Sequence, residues 1–269
     1  MRKLTGGDRD GPPLVVTDTG WVYFVRSSST GSCLLDLWRV RESGGSASRV
    51  TQVGRSDGST AMTRDGRLLA YATLRNACAP HTYALGLDEV VVVNLVTGRR
   101  HVISVQTSAP ASLAWGPGGR TLAVVEHLER DQVHLFNDPF AITAWAAGSA
   151  PALPCPAGTS CWQDSPSFSR DGALVYLAAI DNPLHSCLVS VCQDMTYDIV
   201  TVRGKKAVVD VSQTGRAGVE TTGTVDAEGG AVIYNLPSTA GGPSVWRWLE
   251  PGAPEPVAGA GGDAGDPIW

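Results

Sequence analysis

The sequence predicts an all-β chain, a β-propeller of about five four-stranded blades, with an incomplete six-bladed ring as the alternative. Three observations predict it. Tight-turn glycines recur at Gly20, Gly66, Gly119, Gly172 and Gly229, spaced by 46, 53, 53 and 57 residues, and self-similarity at such a period marks radially repeated units. Each glycine sits between two short apolar runs, the pattern of a β-hairpin whose turn needs the positive φ that glycine tolerates. No helical period is sustained over a dozen residues, so a βαβ architecture has no support.

The first hairpins of the repeats read LVVTDTGWVYFV (14–25), TAMTRDGRLLAYAT (60–73), SLAWGPGGRTLAVVE (112–126), SPSFSRDGALVYLAA (165–179) and TTGTVDAEGGAVIYN (221–235). A second hairpin follows in most repeats. LLDLWRV (34–40) precedes SRVTQV; EVVVVNLVTGRRHVISV (89–105) turns at Thr97-Gly98; YDIVTVRGKKAVVDV (197–211) turns at Arg203-Gly204; VWRWLEPGAPEPVAG (245–259) turns at Pro251-Gly252. Repeat three has only a weak version, QVHLF and then AITAWAA. Four strands per unit give blades at about 8–53, 54–107, 108–160, 161–215 and 216–262 of one domain. RKLTGG (2–7) reads as an outer strand and GDPIW (265–269) as an inner one, so the termini are expected side by side, closing the ring. Both ends also read as cut within a repeat.

TRDGRLLAYAT and SRDGALVYLAA resemble the repeat of TolB-type (WD-repeat-like) propellers, whose core reads approximately Ser-Pro-Asp-Gly-Lys-x-Leu-Ala-Phe. The resemblance extends over nearly the whole chain and is loosest in repeats one (TDTG) and five (DAEG). It implies a fold used for protein-interaction platforms, sensor ectodomains and the non-catalytic domains of prolyl-oligopeptidase-like enzymes.

Composition narrows the function. The formal net charge is −5, lysine is confined to Lys3, Lys205 and Lys206, and no basic block occurs, which speaks against nucleic-acid binding. The apolar runs are too short to span a membrane, and the first residues lack the apolar stretch of a signal peptide. The cysteines Cys33, Cys78, Cys155, Cys161, Cys187 and Cys192 all fall in the long B–C loops or D–A crossings expected on one face. They are read as disulfides Cys33–Cys78, Cys155–Cys161 and Cys187–Cys192 pinning those loops, which favours an extracytoplasmic location. Zinc is the rival, with His185 beside Cys187, although the cysteine spacings depart from the CxxC form.

In such blades the A strand lines the channel, and the A–B and C–D turns share one face. That face is economical here. The other carries long segments: LRNACAPHTYALGLD (74–88), GSAPALPCPAGTSCWQD (148–164) and IDNPLHSCLVSVCQDM (180–195), and long loops on a rigid scaffold are where function concentrates. Acidic residues recur just before the A strands, at Asp10, Asp57, Asp164, Glu220 and Asp266. They are read either as acceptors for their own crossing loops or as a negative channel mouth receiving a cation or basic peptide. His81, Tyr83 and Trp162 are the loop groups that could specify a partner.

No catalytic constellation is legible. Gly54-Arg55-Ser56-Asp57-Gly58 matches G-x-S-x-G, yet lies between strands rather than in the strand–turn–helix setting a nucleophile elbow needs. The predicted A-strand cores, LVVT, TAMT, SLAW, SPSFS and TTGTV, lack the paired carboxylates of a propeller glycosidase. The expectation is a monomeric, cofactor-free, non-enzymatic module binding a protein or peptide through its looped face. The alternatives are the propeller domain of a hydrolase or peptidase, or a carbohydrate-binding propeller resting on an exposed Trp162.

Overall fold

In the computed structural model, the described residues are 9–29, 34–56, 60–73, 89–104, 110–126, 132–138, 148–150, 152, 154, 160–169, 171–181, 196–213, 223–225, 231–238, 242–249 and 255–261. They form five four-stranded antiparallel sheets, each a meander in chain order. Blade one comprises β1 (Asp10–Val16), β2 (Trp21–Ser27), β3 (Leu34–Arg41) and β4 (Ser48–Arg55). Blade two comprises β5 (Thr60–Met62), β6 (Leu68–Thr73), β7 (Glu89–Asn94) and β8 (Arg100–Ser104). Blade three comprises β9 (Pro110–Trp115), β10 (Thr121–Glu126), β11 (Gln132–Asn137) and β12 (Gly148–Ser149). Blade four comprises β13 (Ser160–Phe168), β14 (Leu174–Asp181), β15 (Thr196–Arg203) and β16 (Lys206–Gln213). Blade five comprises β17 (Gly223–Val225), β18 (Ala231–Ser238), β19 (Gly242–Leu249) and β20 (Glu255–Gly261).

The first strands pack in succession, β1 on β5, β5 on β9, β9 on β13 and β13 on β17, which is the radial order of a propeller. Among the described residues no contact of that extent joins β17 to β1. Residues 1–8 and 262–269, on which the expected ring closure depends, lie outside the described set.

The middle strands read as unbroken apolar runs because both of their faces are covered. Leu69, Tyr71, Val91 and Val93 join Val15, Tyr23, Val25 and Leu37 in the core between blades one and two. Their sequence neighbours Ala70, Val90 and Val92 point the other way, to Leu122, Val124 and Phe136. Ala123 and Val125 then meet Leu174, Tyr176 and Val200 in the core between blades three and four. Period-two alternation across pleated sheets produces this sorting, and burying each such side chain stabilises the fold by roughly 1.5–3 kcal/mol.

Four A–B turns share one backbone skeleton. The residue ending the A strand hydrogen-bonds its N–H across the turn, as Thr17 does to Trp21 O (2.8 Å), Thr63 to Leu68 O (3.0 Å), Gly116 to Thr121 O (2.8 Å) and Ser169 to Ala173 O (3.0 Å). The Ser/Thr-x-Asp of the repeat has a physical purpose there. Thr63 Oγ1 donates to Asp65 (2.6 Å) and accepts from Leu68 N (3.0 Å), while Asp65 Oδ1 accepts from Arg67 N (3.0 Å). Ser169 repeats the pattern, donating to Asp171 and accepting from Ala173 N at 2.9 Å. The Asp171 carboxyl is held below its ordinary value, first by the Ser169 hydroxyl and then by the Ala173 amide. In blade one Thr19 stands in for the aspartate, 3.0 Å from Thr17 Oγ1. Blade five's turn lies outside the described residues.

Two inner strands extend past their expected starts. In blade four, β13 begins at Ser160 and pairs with β14 from Ser160↔Asp181 to Phe168↔Leu174, with a register shift between Asp164 and Ser167. The sequence reads Ser165-Pro166 as the beginning of the strand. Instead the strand passes through a bulge there, Ser165 taking a left-handed φ of +48°, and a proline is tolerated because a bulge residue owes the ladder no N–H. β1 likewise carries Pro13 between two register shifts. In blade three the outer strand is the two-residue β12, pairing His134↔Ser149 and Leu135↔Gly148, whereas the expected run AITAWAA (141–147) lies outside the described residues. Gln163 of β13 completes that short ladder, its Oε1 accepting the Val133 N–H at 2.8 Å beside the Ala150 N–H to Val133 O bond of 2.7 Å.

Candidate functional site

The two ends of the blades differ in build. Turns at the A–B and C–D end are mostly short, as where β15 ends at Arg203 and β16 begins at Lys206; the exception is blade three, where β11 ends at Asn137 and β12 begins at Gly148. At the other end β6 stops at Thr73 and β7 starts at Glu89, and β14 stops at Asp181 with β15 starting at Thr196. The expected long segments therefore leave the scaffold at one end.

Most of the residues singled out on that end lie outside the described set: Asp57, Glu220, His81, Tyr83, Cys33, Cys78, Cys155, Cys187 and Cys192. Besides Asp10, three of the candidates are placed, and their placement corrects the expectation. Cys161, Trp162 and Asp164 are strand residues, not members of a loop crossing; in β13 they stand opposite Ile180, Ala179 and Leu177. The cause is the bulge, which lets pairing continue upstream of Pro166 where the sequence suggests a break. Trp162 is thereby a strand residue rather than the loop tryptophan on which the carbohydrate reading rests. Asp164 moves from the lip of the crossing into the inner strand, so the statement that inner strands carry no carboxylate also fails. Cys161 is disulfide-bonded; its partner sulfur lies outside the described residues, and Cys161 itself is not available as a zinc thiolate.

Asp10 is a second inner-strand carboxylate, at the start of β1. It is neutralised in place. Arg26 grips it with both arms of its guanidinium, Nε to Oδ1 and Nη2 to Oδ2, the latter at 3.1 Å. Arg26 is in turn stacked against Trp38 at 4.3 Å and Phe24 at 5.3 Å from the ring centroids. A bidentate pair of this geometry cancels most of the field of its carboxylate, so Asp10 adds little to any negative mouth. Sequence reasoning missed the pairing, although Arg26 and Asp10 are cross-strand partners and the hairpin register could have suggested it.

The G-x-S-x-G string behaves as structure. Gly54 and Arg55 end β4, Ser56 is 3% exposed, and the next described element is the strand β5. A nucleophile would need its hydroxyl presented to solvent. Among the described residues no helix is long and apolar enough to cross a membrane.

No protein-family model matches this sequence, and neither does any curated protein. Solved structures do resemble the fold. TolB from Acinetobacter baumannii superposes with a TM-score of 0.66 at 14% identity, covering 97% of this chain and 57% of that one. An oligogalacturonate lyase from Vibrio parahaemolyticus gives 0.63 at 12% identity, covering 94% and 67%. The β-propeller domain of the Trilobed protease from Pyrococcus furiosus gives 0.53 at 12% identity, covering 91% and 70%. The chain thus spans little more than half the length of the Acinetobacter TolB. At such identities the likeness concerns backbone architecture alone, and that architecture is a β-propeller.

Proposed function

We propose that this chain is a non-enzymatic binding propeller that engages a basic protein segment or peptide at the channel mouth on its looped end. The observation supporting this reading is the asymmetry between the two ends of the blades: turns that are short at one, apart from the β11–β12 connection of blade three, and long excursions after β6 and β14 at the other. A preformed concavity surrounded by such loops buries a ligand with little reorganisation. Asp57, Asp164 and Glu220 would supply the negative potential, without Asp10, whose charge Arg26 already answers. His81 and Tyr83 are the loop groups that would specify the partner, and the remaining disulfides, Cys33–Cys78 and Cys187–Cys192, would hold the loops. Cys155 is the proposed partner of Cys161. The module would act as a monomer in an extracytoplasmic compartment.

The test uses a fluorescein-labelled oligolysine peptide, titrated by anisotropy at low and high salt. Binding should weaken steeply as salt rises, and the triple variant Asp57→Asn, Asp164→Asn, Glu220→Gln should lose at least about tenfold in affinity along with most of the salt slope. Unchanged affinity and slope in the triple variant would defeat the acidic-mouth reading. Turnover of a peptide or oligogalacturonide by the purified chain would replace it with an enzymatic one.

A further inference from the structure

The opposite end of the molecule carries a different chemistry. In blade one, Arg39 and Arg41 project to the same face of β3, two residues apart, and both guanidinium groups lie over the indole of Trp21, at 4.3 and 3.9 Å from its centroid. The two charges are therefore held no further apart than the sum of those distances. Arg41 is anchored by donating to Thr19 O at 2.8 Å, while the buried Nε of Arg39 has no hydrogen-bond partner. Neither arginine forms an ion pair among the described residues. On the other face of the same sheet the arginines are matched, Arg26 with Asp10 and Arg49 with Asp36 at 2.7 Å.

Like charges kept together by stacking, with an orphaned buried donor between sheet and solvent, are the makings of an anion site. Stacking fixes the planes of the guanidiniums, so little rotamer entropy remains to be lost when their N–H forks meet an oxyanion. The site lies along the seam between blades one and two at the turn end. Trp21 and Leu95, from the C–D turn of blade two, pack on the same core, and Arg64 crosses the seam to Asp18 at 3.1 Å. Next to Leu95, Val96 is 67% exposed. Its turn is rigid, since Asn94 Oδ1 accepts from both Val96 N and Thr97 N at 3.0 Å. The turn end of this seam thus carries both a stacked arginine pair and an exposed valine on a stiff turn, a charge clamp and an apolar anchor.

We infer that this seam is a second binding site, independent of the looped end, and that it takes a carboxylate from an acidic segment of a partner protein in which an apolar residue neighbours the acid. A protein carboxylate suits it better than a lipid surface. A bilayer meets the most protruding groups of a protein, whereas Arg39 is half-buried in the seam and is reached only by a side chain or chain end entering it.

The probe is a fluorescein-labelled peptide of alternating glutamate and leucine, followed by anisotropy. The chain should bind it with an affinity that falls as salt rises, and Arg39→Gln with Arg41→Gln should weaken binding at least about tenfold. Val96→Ser should cost several-fold, and Arg120→Gln, exposed on the turn of blade three, should change nothing. If the double variant does not fold, Arg41→Gln alone reads the same contact from the exposed side. Arg39→Lys, which keeps charge but loses the stacked fork, should still weaken binding. Equal binding by the glutamine–leucine peptide or by the double variant overturns the site. So does binding to phosphatidylglycerol vesicles without binding to the peptide, or full competition by inorganic phosphate. None of these outcomes bears on the oligolysine titration, so the two sites stand or fall separately.

Discussion

The A–B turns of blades two and three share a closing bond and a final left-handed glycine but differ in chemistry, and at the preceding step blade three has the left-handed Gly118 where blade two has Asp65. Each closes with an N–H to carbonyl bond across five residues, Thr63 to Leu68 and Gly116 to Thr121, and each places a left-handed glycine at the same step, Gly66 at φ +71° and Gly119 at φ +67°. Blade two adds a polar staple, with Thr63 and Asp65 satisfying the Leu68 and Arg67 amides. Blade three has Gly116-Pro117-Gly118 there instead, with neither hydroxyl nor carboxylate. The turn therefore does not need the staple to form. It needs the glycine, and it needs the packing of neighbouring blades around it.

The largest expected effect tests that packing. Gly119→Ala places a methyl group 2.7 Å from Leu68 Cδ1 and 3.1 Å from Thr63 Cγ2, in a left-handed conformation, and should cost about 3 kcal/mol. Gly118→Ala has a similar φ of +70° but meets nothing within 4 Å, so it should cost only about 1 kcal/mol. Denaturant midpoints at unchanged slope measure both. Equal losses in the two variants would show that conformation alone matters and that the seam does not.

Next in size is the staple. Thr63→Val preserves shape while removing the oxygen that serves Leu68 N, and should cost about 1–2 kcal/mol. Ser169→Ala should cost about the same in blade four. A loss below a few tenths of a kcal/mol in both would make the motif a relic of sequence rather than a structural device.

The smallest effect is electrostatic. The Asp171 carboxyl titrates below its ordinary value because Ser169 and the Ala173 amide favour its charged form. A depressed carboxylate contributes stability above its unfolded value and loses it as pH falls through the folded one. Asp171→Asn should therefore cost a little stability at neutral pH, where the charged form contributes, and less at acid pH, flattening the acid limb of the stability profile. The group is exposed, so solvent screening keeps the change smaller than that of Ser169→Ala. A larger loss at acid pH than at neutral pH would contradict this assignment.

Much of the fold is legible before any coordinates. Gly20, Gly66, Gly119 and Gly172 all turn out left-handed, and Thr97-Gly98 and Arg203-Gly204 are the second-hairpin turns expected from their flanks. Such features are local: a glycine between two apolar runs states its own conformation. The candidate site was less legible. Pro166 reads as a strand boundary, and only the pairing of β13 with β14 reveals that the strand runs on through a bulge to include Cys161, Trp162 and Asp164.

The repeat, its turns and the alternation that sends Tyr71 to one blade and Ala70 to the next are thus written in the amino-acid order alone. Those follow from propensities and periods acting within a few residues. The fate of the charges, by contrast, is settled by the packed sheets. Asp10 looks like part of an acidic mouth until Arg26 is seen to hold it, and Arg39 and Arg41 look like ordinary strand-end arginines until both are found on Trp21 with no ion pair among the described residues. Ion pairing and stacking depend on which side chains the register brings within a few ångströms. Register is a property of paired strands, so no single strand announces it.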